Sequence, residues 1–222
     1  MRRWLRRYPQ TLAFLMFLPV GGMYFLSQWM GLEHRVIHLP LDDRIPFVPA
    51  FIVPYIFWYP YVPGMLLTTC FRDRGAFRRQ AWTLFSGMLL STAFFLIWPT
   101  CIDFRPDAAG PGLLRWLCRF IYAHDRPVNV LPSLHCYEAL AVHLGAFGAG
   151  RGRKMPVRRA LSAALVTLIC LSTVFVKQHS VADLGAGCGL AAGIYALVRA
   201  FERRKQSRRA LRGEHSGLSV RS

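Results

Sequence analysis

Acidic side chains are scarce in this sequence: 11 Asp and Glu stand against 28 Lys and Arg, so the 222-residue chain carries a formal charge of +17. The six cysteines, at 70, 101, 118, 136, 170 and 188, include no CxxC pair. Without metal-ligand spacing, most of them read as small apolar packers in helices. Cys101 and Cys118 fall in one connection and are candidates for a disulfide that spacing alone does not assign. No small-residue cleavage site ends the first apolar block, which follows "MRRWLRR", and that block is expected to be a retained anchor rather than a signal peptide. The two halves show no inverted repeat, which argues against a transporter of that design.

What is abundant is apolar: 54% of the residues are hydrophobic. A soluble protein with so large a core and so much charge would be unusual, and a nucleic-acid binder spreads its cations over a modest core. Here the apolar residues fall in blocks close to the length of about 20 that crosses a bilayer. These blocks cover residues 11–30, 47–70, 81–99, 133–150, 160–176 and 181–201, with prolines at 49, 54, 60 and 63 predicting a kink in the second. The expected fold is all-α, a six-transmembrane-helix bundle over 1–201, with a basic, disordered tail over 202–222.

Basic clusters recur after every second block. With the N-terminus in the cytoplasm, that side collects Arg2, Arg3, Arg6 and Arg7, then Arg72, Arg74, Arg78 and Arg79, then Arg151, Arg153, Lys154, Arg158 and Arg159, then the tail. The outer side keeps Arg35, Arg44, Arg105, Arg115, Arg119, Arg126 and Lys177. This is the asymmetry of the positive-inside rule, and it puts both termini in the cytoplasm. In the outer connection, Arg115 and Arg119 share one face of a short segment rich in Leu, Trp and Phe, which suits a helix lying at headgroup level or a buried core helix.

The fourth and sixth blocks then run in the same direction and start on the same outer side, one at Pro132–Ser133, the other near His179–Ser180. Two adjacent helix N-termini present unsatisfied N–H groups and suit an anion. His179 and Asp183, four residues apart, meet on one helical face, where the carboxylate orients the imidazole. Ionisable groups inside a membrane protein are costly and mark function. Arg105 and Lys177 add fixed positive charge suited to phosphate, Arg105 through a bidentate fork. Arg126, in the same loop, reads as a headgroup contact.

"PSLH" at 132–135, followed by "STVFVKQHSVAD" at 172–183, with Arg105–Pro106 upstream, resembles the three-part signature of the type 2 phosphatidic acid phosphatase superfamily: K-x6-RP, PSxH and SR-x5-H-x3-D. The motifs lie within 98–190. The resemblance implies a metal-independent, cofactor-free reaction in which His179 is the nucleophile that becomes a phosphohistidine, oriented by Asp183. His135 would protonate the leaving alcohol, and Ser133 and Arg105 would hold phosphate oxygens. Trp98 stands where the family has Lys, and Thr173 where it has Arg. Lys177 is the expected replacement for one lost cation.

The expected activity is that of an integral membrane lipid-phosphate phosphatase, cleaving a phosphoester or pyrophosphate bond of a lipid at the outer face of a bacterial inner membrane. The segments "NVLPSLH" and "VKQHSVAD" are closest to the inositolphosphotransferase, aureobasidin-resistance-like branch, so transfer of a phospho-headgroup to an alcohol is the alternative. The expected partners are the lipid substrate and the surrounding membrane lipid, with no nucleic acid. Two other classes stay open: a metal enzyme using HxxE at 135–138 and HxxxD at 179–183, a thin ligand set, and a non-catalytic transporter. Gly185, Gly189 and Gly193 read as a helix-packing stripe. Glu138 and His143 read as partners in hydrogen bonds between helices. His34, His38, His124 and the Asp42–Asp43 pair read as ordinary loop residues, with His124 and Asp125 near enough to shape an acceptor pocket.

Overall fold

A computed structural model describes residues 9–30 and 32–218. The expected cluster of Arg2, Arg3, Arg6 and Arg7 lies outside the described residues, as do residues 219–222 of the tail. A 3₁₀ stretch, Pro9–Met16, leads into α1 (Phe17–Trp29). Then come β1 (Arg35–Val36), the short α2 (Pro40–Arg44), α3 (Ile52–Arg72), α4 (Arg74–Ile97), β2 (Thr100–Cys101), α5 (Leu113–His124), α6 (Leu134–Phe147), α7 (Pro156–Phe175) and α8 (Val181–Leu218).

Among the described residues, five helical stretches are long and apolar enough to cross a membrane: Gln10–Gln28, Pro49–Arg72, Arg74–Ile97, Pro156–Phe175 and Val181–Arg208. The chain is a membrane-embedded helical bundle. The block expected to span over 133–150 is not among these stretches. Its helix, α6, stops at Phe147 after 14 residues, because Gly148 forms its C-cap and Gly150 takes a positive φ of 66°. At 1.5 Å per residue it is about 21 Å long, short of a hydrocarbon core of about 30 Å. Ten of its residues are buried, so its apolar surface is covered by protein rather than lipid.

The helix directions follow from side-chain contacts. Cys136 touches Thr173 at 3.6 Å and His143 bonds Ser162 at 2.8 Å, so α6 and α7 are antiparallel. A Cβ on Gly187 would lie 2.5 Å from the Ser133 carbonyl, and one on Gly148 would lie 2.1 Å from the Tyr195 hydroxyl. α6 and α8 are therefore parallel, with their N-termini at the same end. On its other side α6 meets α4, where Gly87 leaves room for the ring of Tyr137, whose hydroxyl donates to the Thr83 carbonyl.

Local sequence sets the helix starts. Asp73 caps α4 by accepting from Ala76 N at 2.9 Å, and Ser133 caps α6 by accepting from Cys136 N at 3.4 Å. Pro156 opens α7. α3 accommodates Pro60 and Pro63 within a continuous assigned helix. β1 and β2 pair in parallel, Arg35 with Thr100 and Val36 with Cys101, tying the 32–45 segment to the connection after α4.

Several expectations are corrected. The segment from Glu202, expected to be a tail, continues α8 as helix to Leu218, and Glu202 is held by Arg199 Nη1 at 2.5 Å. Gly185, Gly189 and Gly193 have no neighbour within 4 Å of an added Cβ; the glycine that packs inside the bundle is Gly187. All six cysteines are free, with Cys118 fully buried against Ile52, Tyr55, Ala108, Ile121 and Val176, and Cys101 not joined to it. α5 is amphipathic, burying Cys118 and Ile121 and exposing Leu113, Trp116 and Phe120. Its arginines bond loop carbonyls, Arg115 to Ala109 and Arg119 to Ala108 and Gly110.

Candidate active site

The parallel start of α6 and α8 brings two imidazoles together. His135 and His179 face each other edge to face, with ring centroids 5.6 Å apart. His135 is the second residue of α6, two positions after the Ser133 cap, and Tyr55 and Trp58 of α3 wall it in at 4.7 and 4.5 Å. Its Nε2 is buried without a protein partner. His179 precedes α8 in a tight turn anchored on the end of α7, where the Thr173 carbonyl accepts from Gln178 N and His179 N. His179 Nδ1 lies 3.4 Å from Asp183 Oδ2, within ion-pair distance though off hydrogen-bond alignment. Asp183 is fully buried, and the same oxygen accepts from Ser180 N at 2.8 Å.

A cavity of about 20 Å³ borders both rings. Besides both histidines its lining includes Tyr24, Arg105, Asp125, Arg126, Asn129 and Gln178. That volume holds about one water. A phosphate group is larger, so its entry requires the rim to move; Arg126 is the exposed rim cation.

Arg105 donates to the Asp125 carbonyl at 2.9 Å and its guanidinium lies 4.8 Å above the Tyr122 ring. Its Nε is buried and unpartnered. Burial pulls its pKa below the usual arginine value, with Asp125 opposing that shift, but an arginine stays charged throughout the physiological range. Asp125 Oδ2 accepts from Tyr55 Oη at 2.6 Å and from Gln178 at 3.5 Å, which steadies a carboxylate that borders the cavity.

Four of the six expected site residues converge: His135, His179, Asp183 and Arg105. Ser133 and Lys177 do not line the cavity. Ser133 is fully buried and spends its oxygen on the α6 cap. The backbone of Lys177 turns left-handed, with φ 54°, and Nζ donates to the Asp42 carbonyl at 2.5 Å. Arg126, read from sequence as a headgroup contact, is the second cation of the cavity, with Nη1 also donating to the Gln28 carbonyl at 3.1 Å.

The N-terminus of α8 is not an open anion site either. Asp42, expected to be an ordinary loop residue, is buried and caps α8: its Oδ1 accepts from Val181 N at 2.9 Å and its Oδ2 from Ser180 Oγ at 2.6 Å. With Asp183 on Ser180 N, the first donors of α8 are already satisfied by carboxylates of the chain itself. Of the two departures from the family pattern, Trp98 carries the Arg35 guanidinium 3.7 Å above its ring, and Thr173 bonds the Cys170 carbonyl at 2.7 Å. His143 joins Ser162 and Tyr61 in a hydrogen-bonded chain between helices. Among the described residues, no group of three or more His, Cys, Asp or Glu is placed to hold a metal ion.

No family model, curated protein or solved structure matches this chain.

Proposed function

We propose that the protein is a membrane enzyme that breaks a phosphoester or pyrophosphate bond of a lipid through a phosphohistidine, as the resemblance to the type 2 phosphatidic acid phosphatase superfamily implies. The observation that carries this is the 5.6 Å approach of His135 and His179 from two parallel helices, with Asp183 behind His179 and Arg105 beside them.

The chemistry balances without a further group. The His179 nitrogen facing away from Asp183 attacks phosphorus, and the bond from phosphorus to the leaving oxygen breaks. Protonated His135 gives its proton to that oxygen. Asp183 holds the His179 tautomer and supports the positive charge that develops on its ring. Arg105 and Arg126 offset the charge on the phosphoryl oxygens. Neutral His135 then takes a proton from water as that water attacks the phosphohistidine, releasing phosphate. An alcohol in place of the water gives headgroup transfer by the same steps, the reaction expected of the inositolphosphotransferase-like branch.

In this reading α6 counts as a sixth, shortened crossing, since it runs parallel to α8 with the antiparallel α7 between them in sequence. Both termini then share the cytoplasmic side of a bacterial inner membrane, and the histidine pair opens to the outer face, opposite the basic clusters.

The test is a panel of lipid phosphates offered to purified protein in detergent, wild type against His179→Ala. The expected result is phosphate release by wild type alone, with an acid-labile, alkali-stable phosphoryl adduct on His179. Turnover retained in the variant would end the proposal. Supplying a phospholipid with inositol, and looking for an exchanged headgroup, separates transfer from hydrolysis.

A further inference from the structure

The basic clusters gather at the end of the bundle away from the histidine pair. Arg79 donates to the carbonyls of Gly145 and Ala149 at the C-terminal end of α6, and Arg78 reaches Glu202 far along α8. At that end a groove of about 490 Å³ runs between α4 and α8. Its walls are apolar and face outward, where a bilayer would lie: Trp82, Leu197 and Phe201 are 50%, 58% and 69% exposed. At its polar end stand Arg78 and Lys205, with Glu202 between them.

Glu202 does not neutralise this end. Its carboxylate is shared among three arginines, with Arg199 at 2.5 Å, Arg78 at 3.4 Å and Arg79 at 3.8 Å. Lys205 is in no ion pair among the described residues, and the Arg78 side chain is 62% exposed. Four cations against one anion leave the polar end positive, beside an apolar trough wide enough for acyl chain. A zwitterionic lipid would bring its own cation to this end; an anionic one would not.

We propose that this groove binds an anionic phospholipid, with its phosphate on Arg78 and Lys205 and its chains along Trp82, Leu197 and Phe201. Arginine forks phosphate oxygens, lysine supplies a point charge, and a tryptophan at the membrane–water boundary suits the junction of headgroup and chain. The site is separate from the histidine pair and does not depend on the reaction proposed there.

Native mass spectrometry of the detergent-purified full chain, titrated with phosphatidylglycerol and separately with phosphatidylcholine, tests this. Wild type is expected to retain phosphatidylglycerol at lower lipid concentration than phosphatidylcholine. The double variant Arg78→Gln, Lys205→Gln is expected to lose roughly tenfold or more in phosphatidylglycerol affinity. Ser86→Trp, which fills the groove between the helices and leaves both cations, is expected to lose it too. Equal retention of the two lipids by wild type overturns the proposal without any variant. So does wild-type retention of phosphatidylglycerol by either variant.

Discussion

Asp42 and Ser180 lie 138 residues apart in sequence and share a 2.6 Å hydrogen bond, Ser180 Oγ donating to Asp42 Oδ2. The other Asp42 oxygen accepts from Val181 N, so one buried carboxylate from a short loop helix sets the start of α8 and, through it, the turn that carries His179. Asp42→Asn places an amide donor where two donors already point. A buried donor left unpaired costs about 1–3 kcal/mol. The expected outcome is a lower thermal midpoint in detergent together with reduced turnover, while Asp107→Asn, at an exposed site, changes the midpoint much less. Equal midpoints for the two variants would show that the cap carries no weight.

His135 is proposed to protonate the leaving oxygen, and this separates it from His179 by experiment. In the first turnover, before water attacks the phosphohistidine, His135→Gln is expected to slow release of the alcohol from an alkyl phosphate by about 10²–10⁴-fold. An aryl phosphate with an acidic phenol needs no proton and is expected to lose far less. His179→Gln is expected to fail on both substrates. A uniform loss with His135→Gln would move that residue from acid to packing.

Arg126 and Lys177 exchange the roles that sequence suggested. Arg126 lines the cavity, whereas Lys177 is tied to the Asp42 carbonyl. A hydrogen bond to a charged group contributes about 1.5–3 kcal/mol, so Arg126→Ala is expected to raise KM for a lipid phosphate roughly ten- to a hundredfold with little change in thermal midpoint. Lys177→Ala is expected to do the reverse. Steady-state kinetics and thermal unfolding on the same preparations distinguish them.

His38 gives a pH dependence outside the membrane spans. Nε2 lies 2.8 Å from Asp43 and Nδ1 3.0 Å from Asp103, so the imidazolium bridges the loop of α2 to the segment after β2. Its pKa is raised above 6.5, first by the hydrogen bond to Asp43, which desolvation opposes, and then by the charges of Asp43 and Asp103. A raised folded value means that this contribution is complete below about 6.5, the unfolded histidine value, and is lost as pH rises through the folded one. Thermal midpoints measured from pH 5.5 to 8.5 are expected to fall more in wild type than in His38→Gln. Parallel curves would remove the bridge.

The histidine pair was legible because its signals are local. "PSLH" places a histidine two residues after a helix cap, and "HSVAD" places Asp183 about one turn after His179, so helix periodicity and the order of the membrane-crossing segments suffice to bring them together. Asp42 was not legible, since an acidic pair in a proline-rich loop looks solvated until the partner 138 residues away is known. Lys177 has the right charge and sequence position, but its left-handed backbone sends the side chain to Asp42. The length of α6 was overread because hydrophobicity continues through Gly150, while the helix yields at Gly148. Composition alone also made the segment after Glu202 look disordered, although it continues the α8 helix and Glu202 itself is paired with Arg78 and Arg79 of α4 and with Arg199.

The glycines of α8 test which face of that helix is covered. Gly185, Gly189 and Gly193 repeat every four residues and suggest a seam, yet an added methyl at any of them meets nothing within 4 Å. At Gly187 it would lie 2.5 Å from the Ser133 carbonyl, a backbone atom that cannot swing aside. Gly187→Ala must push α8 from α6 where the two imidazoles meet, and overpacking of this kind costs about 1–3 kcal/mol. Gly189→Ala instead gains helix propensity, close to 1 kcal/mol at most. The expected midpoints therefore move in opposite directions, and only Gly187→Ala is expected to lower turnover, because separating the rings spoils the proton transfer even where the fold survives. A Gly189→Ala variant as damaged as Gly187→Ala would show that the repeating face is the covered one.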